Sequence, residues 1–497
     1  MQSELFKPLS KPWQPHAYQK KAVKFLLEHA ASALFLDPGL GKTSVTLAAI
    51  KLLKQKKVLN KVLLIAPLRV CYSVWPKETD KWTDFGGLKV AVLHGPRKDE
   101  ALKSDADIYV INHEGLDWLT QVKKVKTVSA KTGRVTTKMV VDLRRFKAFG
   151  FDTLVVDELS KFKHSSSGRF KVLKEVLDTF RRRWGLTGSP ASNGLMDLFG
   201  QCYILDQGRT LGQYVSHYRM KYFVPSHDGF SWNIREGAED EIYERISPLA
   251  LRMAADDYLD MPALIENNIR VDLPDKVMDM YTTLEDDLIA KLDAKVIVAS
   301  TAAAASIKCR QVANGGIYLD PEVQALVKLP KSSREWVNLH TEKVDALADL
   351  IDELQGSPLL VAYDFAHDLD RLQEKLGQEV PYIGGGISAK RSAELEQLWN
   401  AGKLPVLLGH PQAMAHGLNL QEMGSHVCWH SLTWDYELYD QFIRRVLRQG
   451  NKSKKVFVHH ILARGTIDEV VLSALKSKRR GQNALFDALK KLSKGQK

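Results

Sequence analysis

The sequence predicts an α/β protein of two lobes, each a parallel sheet flanked by helices, with helical protrusions between the lobes. Short apolar runs of the kind that form buried parallel strands alternate with helix-forming stretches up to about residue 199 and again from about residue 343, while the intervening stretch loses the alternation. A glycine-rich strand-to-helix turn, LDPGLGKT at 36–43, occurs in the first lobe and has no counterpart in the second. At 497 residues the chain exceeds what one hydrophobic core organises.

The first helix, QPHAYQKKAVKFLLEH at 14–29, places Tyr18, Ala22, Phe25 and Leu26 on one side, with Gln19 at its start. An amide there both donates and accepts, which suits an adenine edge. Ala33 to Leu36 reads as a buried strand and Ser44 to Leu53 as a helix, so Gly39, Leu40 and Gly41 fall in the turn between them. Such a turn lets backbone N–H groups close round an anion at a positive helix N-terminus; Lys42 can reach β- and γ-phosphates, and Thr43 can ligate Mg²⁺. Leu36 stands where the usual pattern has its first small residue. A nucleoside-triphosphate site is expected here.

Val62 to Pro67 and Asp107 to Asn112 are further strands. Ligands of open α/β sheets gather at strand carboxyl ends, which places Pro67, Leu68 and Arg69 against a second substrate. Residues 121–147 then interrupt the alternation with nine basic residues and one acid around a Lys-Thr-Gly-Arg turn, a basic β-hairpin that is either a solvated face or a nucleic-acid contact. The strand Thr153 to Val156 runs into Asp157 and Glu158. Buried strand-end carboxylates need a metal or another charge, so Asp157 can hold Mg²⁺ and Glu158 can take a proton from an attacking water. At Trp184 to Pro190, Thr187 and Ser189 flank Gly188 at the same sheet edge, placed to sense the acidic pair.

The formal charge of +12 favours a polyanion partner over a neutral one, although a solvated basic surface has the same composition. The four cysteines lie far apart and form no C-x-x-C pair, so neither a zinc site nor a disulfide framework is indicated. The N-terminal stretch has no apolar signal region and the run Ala299 to Ile307 is too short to span a bilayer, so no membrane and a cytoplasmic location are expected.

In order, AYQ, DPGLGKT, LLIAPLRVCYSVWPKE, VINHE, LVVDELSKFKH and GLTGSPASNGLMDLF resemble the first lobe of the Swi/Snf-type family of superfamily-two helicases. The resemblance implies two RecA-like lobes, ATP with Mg²⁺, and translocation on double-stranded DNA, with remodelling or displacement of bound protein in some members. It continues through IKCRQVANGG and through second-lobe strands at Pro358 to Tyr363, Val380 to Ile383, Pro405 to Gly409, His426 to Trp429 and Val456 to Ile461. In QFIRRVLRQ, Arg444, Arg445 and Arg448 cluster, and arginine suits the charge on a transferring phosphoryl group. The family motif maps onto Gln441, Arg445 and Arg448, while RQGN departs from its usual end. Gly417 and Asn419 fall where the family approaches DNA and couples it to nucleotide, and Trp434 takes the tryptophan position of the next segment. Gln412 to His416 replaces the small-residue string before Gly417.

The expected organisation is a first lobe at 1–255, with the hairpin insertion at about 121–147 and a protrusion at about 205–250. A helical linker and protrusion at 256–335 follows, then a second lobe at 336–470 and a basic tail at 471–497, read as a disordered solubilising end or a DNA-contacting helix. The expected protein is a monomeric, minimal, bacterial or phage-like DNA-dependent ATPase. It would act on duplex DNA without sequence preference, held by loops around Pro67, Leu68, Gly188 and Gly417, with a second protein as a further partner. Two alternatives stay open: a helicase that separates strands or migrates branches on DNA or RNA, and a nucleotide-gated DNA-binding switch with little turnover.

Overall fold

A computed structural model describes the chain except residues 1–10, 129–134, 226–231, 294–298, 320–334, 416 and 496–497; for 127–128, 135–138, 287–293, 299–305 and 486–495 only the backbone course is described. The Lys-Thr-Gly-Arg turn and His416 lie outside the described residues. The chain divides into two units, residues 1–258 with 480–497, and residues 259–479.

The first unit contains helix α1 (Ala17–Glu28), strand β1 (Ala31–Leu36), helix α2 (Lys42–Gln55), and strands β2 (Lys61–Ala66), β3 (Val90–Val92) and β4 (Ile108–Asn112). A hairpin of β5 (Lys123–Val128) and β6 (Val135–Val140) precedes β7 (Phe151–Asp157) and β8 (Arg182–Thr187). A small hairpin of β9 (Phe223–Pro225) and β10 (Trp232–Ile234) precedes β11 (Ala250–Met253). Seven of these form one parallel sheet in the order β11-β1-β8-β7-β2-β4-β3. The central strands are buried on both faces, which is why they read as continuous apolar runs.

The second unit contains β12 (Ala263–Val271), a hairpin of β13 (Gly316–Tyr318) and β14 (Trp336–Asn338), then β15 (Leu359–Ala362), β16 (Tyr382–Ile383), β17 (Val406–Gly409), β18 (His426–Trp429) and β19 (Lys455–Ala463). Its parallel sheet runs β12-β19-β18-β15-β17-β16, with an apolar cluster on each face.

Two expectations need correction. The stretch 256–335 is not wholly a helical linker, because β12 lies within it and pairs with β19 from Ala263↔Lys455 to Val271↔Ala463. As an edge strand with polar residues and half-buried side chains it carries no apolar run to read. Nor is the tail at 471–497 a disordered end, since helix Ile467–Gly495 occupies most of it. Val471, Leu472 and Leu475 are buried, and Leu485 belongs to the core of the first unit, so apolar spacing continues beneath the basic residues that dominate the composition.

The interior of the second unit is unusually polar. Fully buried Lys343 donates to Asn314 Oδ1 (2.8 Å) and Asp468 Oδ2 (2.7 Å). Asn314 Nδ2 donates in turn to Asp368 Oδ2 (3.1 Å) and Ser431 Oγ (2.6 Å), and Arg371 reaches Asn338 Oδ1 (2.9 Å) and the carbonyls of Asn314 and His340. Burial pushes the pKa of His430 down to about 3 and that of His340 to about 4, so both are neutral near pH 7. These bonds join the helices Ala299–Asn314, Glu342–Glu353 and Ala366–Leu376 to the start of Ile467–Gly495. Removing one partner of such a pair strands a buried charge. Lys343→Met is therefore expected to lower stability by about 3–5 kcal/mol, read as a lower urea midpoint. Adding Asp468→Asn, which keeps an acceptor for Ala463 N, should restore most of the loss. A double variant no more stable than the single one would count against the charge pair.

Candidate nucleotide site

Parallel strands send their carboxyl ends to one edge, so in the first unit the loops after β1, β2, β4, β7 and β8 emerge together. β8 lies between β1 and β7, with Thr187 opposite Phe35 and Leu186 opposite Asp157. Two strand spacings put Asp157 about 10 Å from the end of β1, room for a phosphate chain and a cation.

The turn at 37–41 depends on Gly39 (φ 95°) and Gly41 (φ 79°), and α2 begins directly after it. Lys42 Nζ donates to Leu36 O at 2.8 Å, spanning the turn from inside. Gln19 is buried, accepts from His16 N (3.0 Å) and donates to Leu40 O (3.2 Å), so its amide braces the turn. A Cβ on Gly41 would stand 2.5 Å from Gln19 Nε2. Asp37 is anchored by Arg252 (2.7 Å) and by Ala255 N (3.0 Å), just after β11. Gly188 packs against the same turn, where a Cβ would stand 3.4 Å from Pro38 Cδ and 3.5 Å from Leu36 O, and Ser189 N donates to Thr187 Oγ1 (3.1 Å).

Asp157 is buried at the end of β7 and accepts from the Trp75 indole N–H at 3.0 Å. Burial, reinforced by the neighbouring Glu158 charge, pushes its carboxyl up; Lys42 and the Trp75 hydrogen bond pull the other way. Glu158 itself holds a left-handed backbone, φ 59° and ψ 60°. Among the described residues no group of three or more His, Cys, Asp or Glu forms a metal cage. A carboxylate whose surroundings favour protonation is suited to an added cation, and a nucleotide-borne ion needs one or two protein ligands because phosphates and water supply the rest. Asp157 and Thr43, which lies in the first turn of α2, fit that requirement.

Sequence reasoning gave no role to Trp75 or Glu78, although both lie in the quoted segment VWPKE. Glu78 accepts from Ser44 Oγ (2.6 Å) and from the Trp82 indole (2.7 Å), tying helix Trp75–Lys81 to the first turn of α2. Pro67 caps the short helix Leu68–Ser73 at the end of β2, and Leu68 is exposed.

In the second unit, helix Tyr436–Ile443 starts on an Asp435 cap, and Gln441 donates to Glu437 (3.2 Å). Arg445 is buried, with Nε on Gln441 O (2.9 Å) and an N–H on Leu418 O (3.0 Å). Arg448 is less enclosed and donates to Asn419 Oδ1, while Asn419 N donates to Glu396 (2.8 Å). Burial lowers the Arg448 pKa and Glu396 opposes that. Gln441, Arg445, Arg448 and Asn419 thus come together beside Gly417, whose φ of 76° shapes the turn. Trp434 is held elsewhere, donating to Ser306 Oγ (2.9 Å).

These features define a two-lobed, RecA-like protein of helicase type. The chain matches the SNF2-related domain over residues 18–319 and the helicase conserved C-terminal domain over residues 342–450. It belongs to the SNF2-related family and carries that family's helicase-like ATPase domains. It is 32% identical to the p41 protein of Acyrthosiphon pisum secondary endosymbiont phage 1, over 97% of this chain and 100% of that one. It is 23% identical to the DNA repair and recombination protein RAD54-like of Danio rerio, over 96% of this chain and 68% of that one. The Sulfolobus solfataricus SWI2/SNF2 ATPase core solved in complex with dsDNA aligns over 96% of this chain and 94% of that one, at 22% identity and a TM-score of 0.41. No helix among the described residues is long and apolar enough to cross a membrane.

The indole bond makes a test. Trp75→Phe deletes a donor to a carboxylate, a bond worth about 1.5–3 kcal/mol, and should slow ATP hydrolysis about tenfold or more. Trp82→Phe deletes the donor to Glu78 instead and should have a much smaller effect. Equal losses in two folded variants would reject the Trp75–Asp157 link.

Proposed function

We propose that this chain is an ATP-driven motor on double-stranded DNA that translocates along the duplex and remodels it or displaces bound protein. The observation that supports it best is the single sheet edge carrying the phosphate turn, the Asp157–Glu158 pair and the Thr187–Ser189 turn side by side. Gly39, Leu40, Gly41 and Lys42 bind the phosphates, Gln19 sets the turn beside the adenine end, and Thr43 and Asp157 hold Mg²⁺. Bound there, Mg²⁺ would supply positive charge against that of the phosphates. Glu158 accepts the proton of the attacking water. Arg448 and Arg445 supply the finger charge, with Gln441 beside them; Arg445 is also held by two carbonyls of its own lobe.

DNA would be engaged by the loops at Pro67, Leu68 and Gly188 and by Gly417, Asn419 and Trp434, mainly through phosphates and therefore without sequence preference. The RAD54-like relative is a DNA repair and recombination protein, which supports a DNA substrate.

The test is steady-state ATP hydrolysis with no nucleic acid, single-stranded DNA, duplex DNA and duplex RNA. Duplex DNA should stimulate turnover most, and Glu158→Gln should abolish it. Arg448→Ala should cost about 10³-fold in turnover if it is the finger. Equal slow turnover under all four conditions overturns the motor.

A further inference from the structure

The hairpin β5–β6 takes no part in either parallel sheet. It is a separate two-stranded antiparallel ribbon, six residues to a strand, paired from Lys123↔Val140 to Val128↔Val135. Its root is fixed. Val122, Met139 and Val141 pack on the first core, Asp142 N donates to Thr120 O (3.0 Å), and Met139 lies against Gly168 of the neighbouring helix Gly168–Lys174. Beyond the root, Lys123, Lys124, Val125 and Lys126 are exposed, as is Val140 opposite Lys123. Residues 122–141 hold six basic residues and no acid.

We infer that this ribbon is a second duplex-DNA contact, separate from the motor loops, which lays its lysines on the backbone phosphates along the major groove. The inference rests on the duplex-DNA reading above. A B-form major groove, about 12 Å wide, admits a two-stranded ribbon, whereas the deep, narrow major groove of an RNA duplex does not. Six residues per strand reach about 17–20 Å, enough to follow several phosphates. The lysines also argue against a protein strand as the occupant, because charged residues on an open strand edge oppose edge-to-edge pairing. With the root packed on the lobe that holds the phosphate turn, a ribbon seated on DNA would keep that lobe engaged while the motor loops release.

The test is binding of a short DNA duplex by fluorescence anisotropy without nucleotide, across a salt series. The probe variant is Lys123→Gln, Lys124→Gln, Lys126→Gln; its control is Lys56→Gln, Lys57→Gln, Lys103→Gln, also at exposed positions. Loss of three phosphate contacts should weaken binding tenfold or more and lower the slope of log affinity against log salt by about 2–3. The control triple should change neither, and replacement of the same three ribbon lysines by arginine should restore both. Duplex RNA should compete poorly and equally against wild type and probe variant. In hydrolysis assays the ribbon variant should need more DNA for half-maximal stimulation while keeping its maximal rate. Unchanged affinity and slope would overturn the ribbon contact, as would a change in self-association with DNA binding intact. A wild type that binds DNA through the ribbon without stimulated hydrolysis would refute the motor and leave the ribbon standing.

Discussion

A carboxylate buried at the end of β7 sets the terms for the loops around it. Asp157 has little access to water and a second acid beside it, so it either takes up a proton or has positive charge brought to it. Lys42 across the turn and the Trp75 indole N–H on one oxygen offset this only in part, so the carboxyl stays raised and an added cation would meet a real need. Glu158 is held in a backbone conformation that costs a non-glycine residue about 1–2 kcal/mol. The neighbours hold it there. Leu159 and Phe162 are fully buried behind it, and Leu159 fits only because Gly185 lacks a side chain, where a Cβ would stand 2.4 Å from Leu159 Cδ2.

The same close packing links segments distant in sequence. Gln19 fills the space beside Gly41, and Gly188 closes on Pro38, so α1, the phosphate turn and the end of β8 cannot move independently. The Asp37–Arg252 pair extends the coupling to the stretch after β11. A shift of this turn would therefore be felt at Ser189 and at Ala255.

Both sheets were legible in the sequence wherever strands are buried on both faces, since runs such as VLLIA and PLLVA admit few other readings. The edge strand β12 was not, because half-exposed strands carry polar residues and lose the apolar signature. Helix Ile467–Gly495 was obscured by its charge: Val471, Leu472, Leu475 and Leu485 keep a helical spacing, but the basic residues between them dominate the composition. The glycine-rich turn after β1 and the acidic pair after β7 could be picked out from residue type and position alone. The role of Trp75 could not, since nothing in a tryptophan's local sequence says which carboxylate, 82 residues away, its N–H will meet. The two uses of Gln19 and Arg445 were hidden for a similar reason. Their chemistry suggests a ligand, and the fold adds main-chain bonds that residue type does not announce, Gln19 with His16 N and Leu40 O, Arg445 with the carbonyls of Gln441 and Leu418.

The second lobe has no glycine turn of that kind, yet it encloses a buried polar network around Lys343, Asn314, Asp368 and Arg371. Such a network adds less stability than an apolar core of the same volume would, because every charge in it has been desolvated. What it offers is directional: hydrogen bonds at Lys343, Asn314 and Arg371 admit one arrangement of four helices, whereas apolar contacts tolerate sliding. The cluster of Gly417, Asn419, Gln441, Arg445 and Arg448 is built by the same rule, with Arg445 spending its donors on the carbonyls of Leu418 and Gln441. Arg448 is the less buried of the two residues and donates to Asn419 Oδ1 from the same frame. Directional bonds of this kind fix the backbone from which Arg448 projects more tightly than apolar contacts alone would.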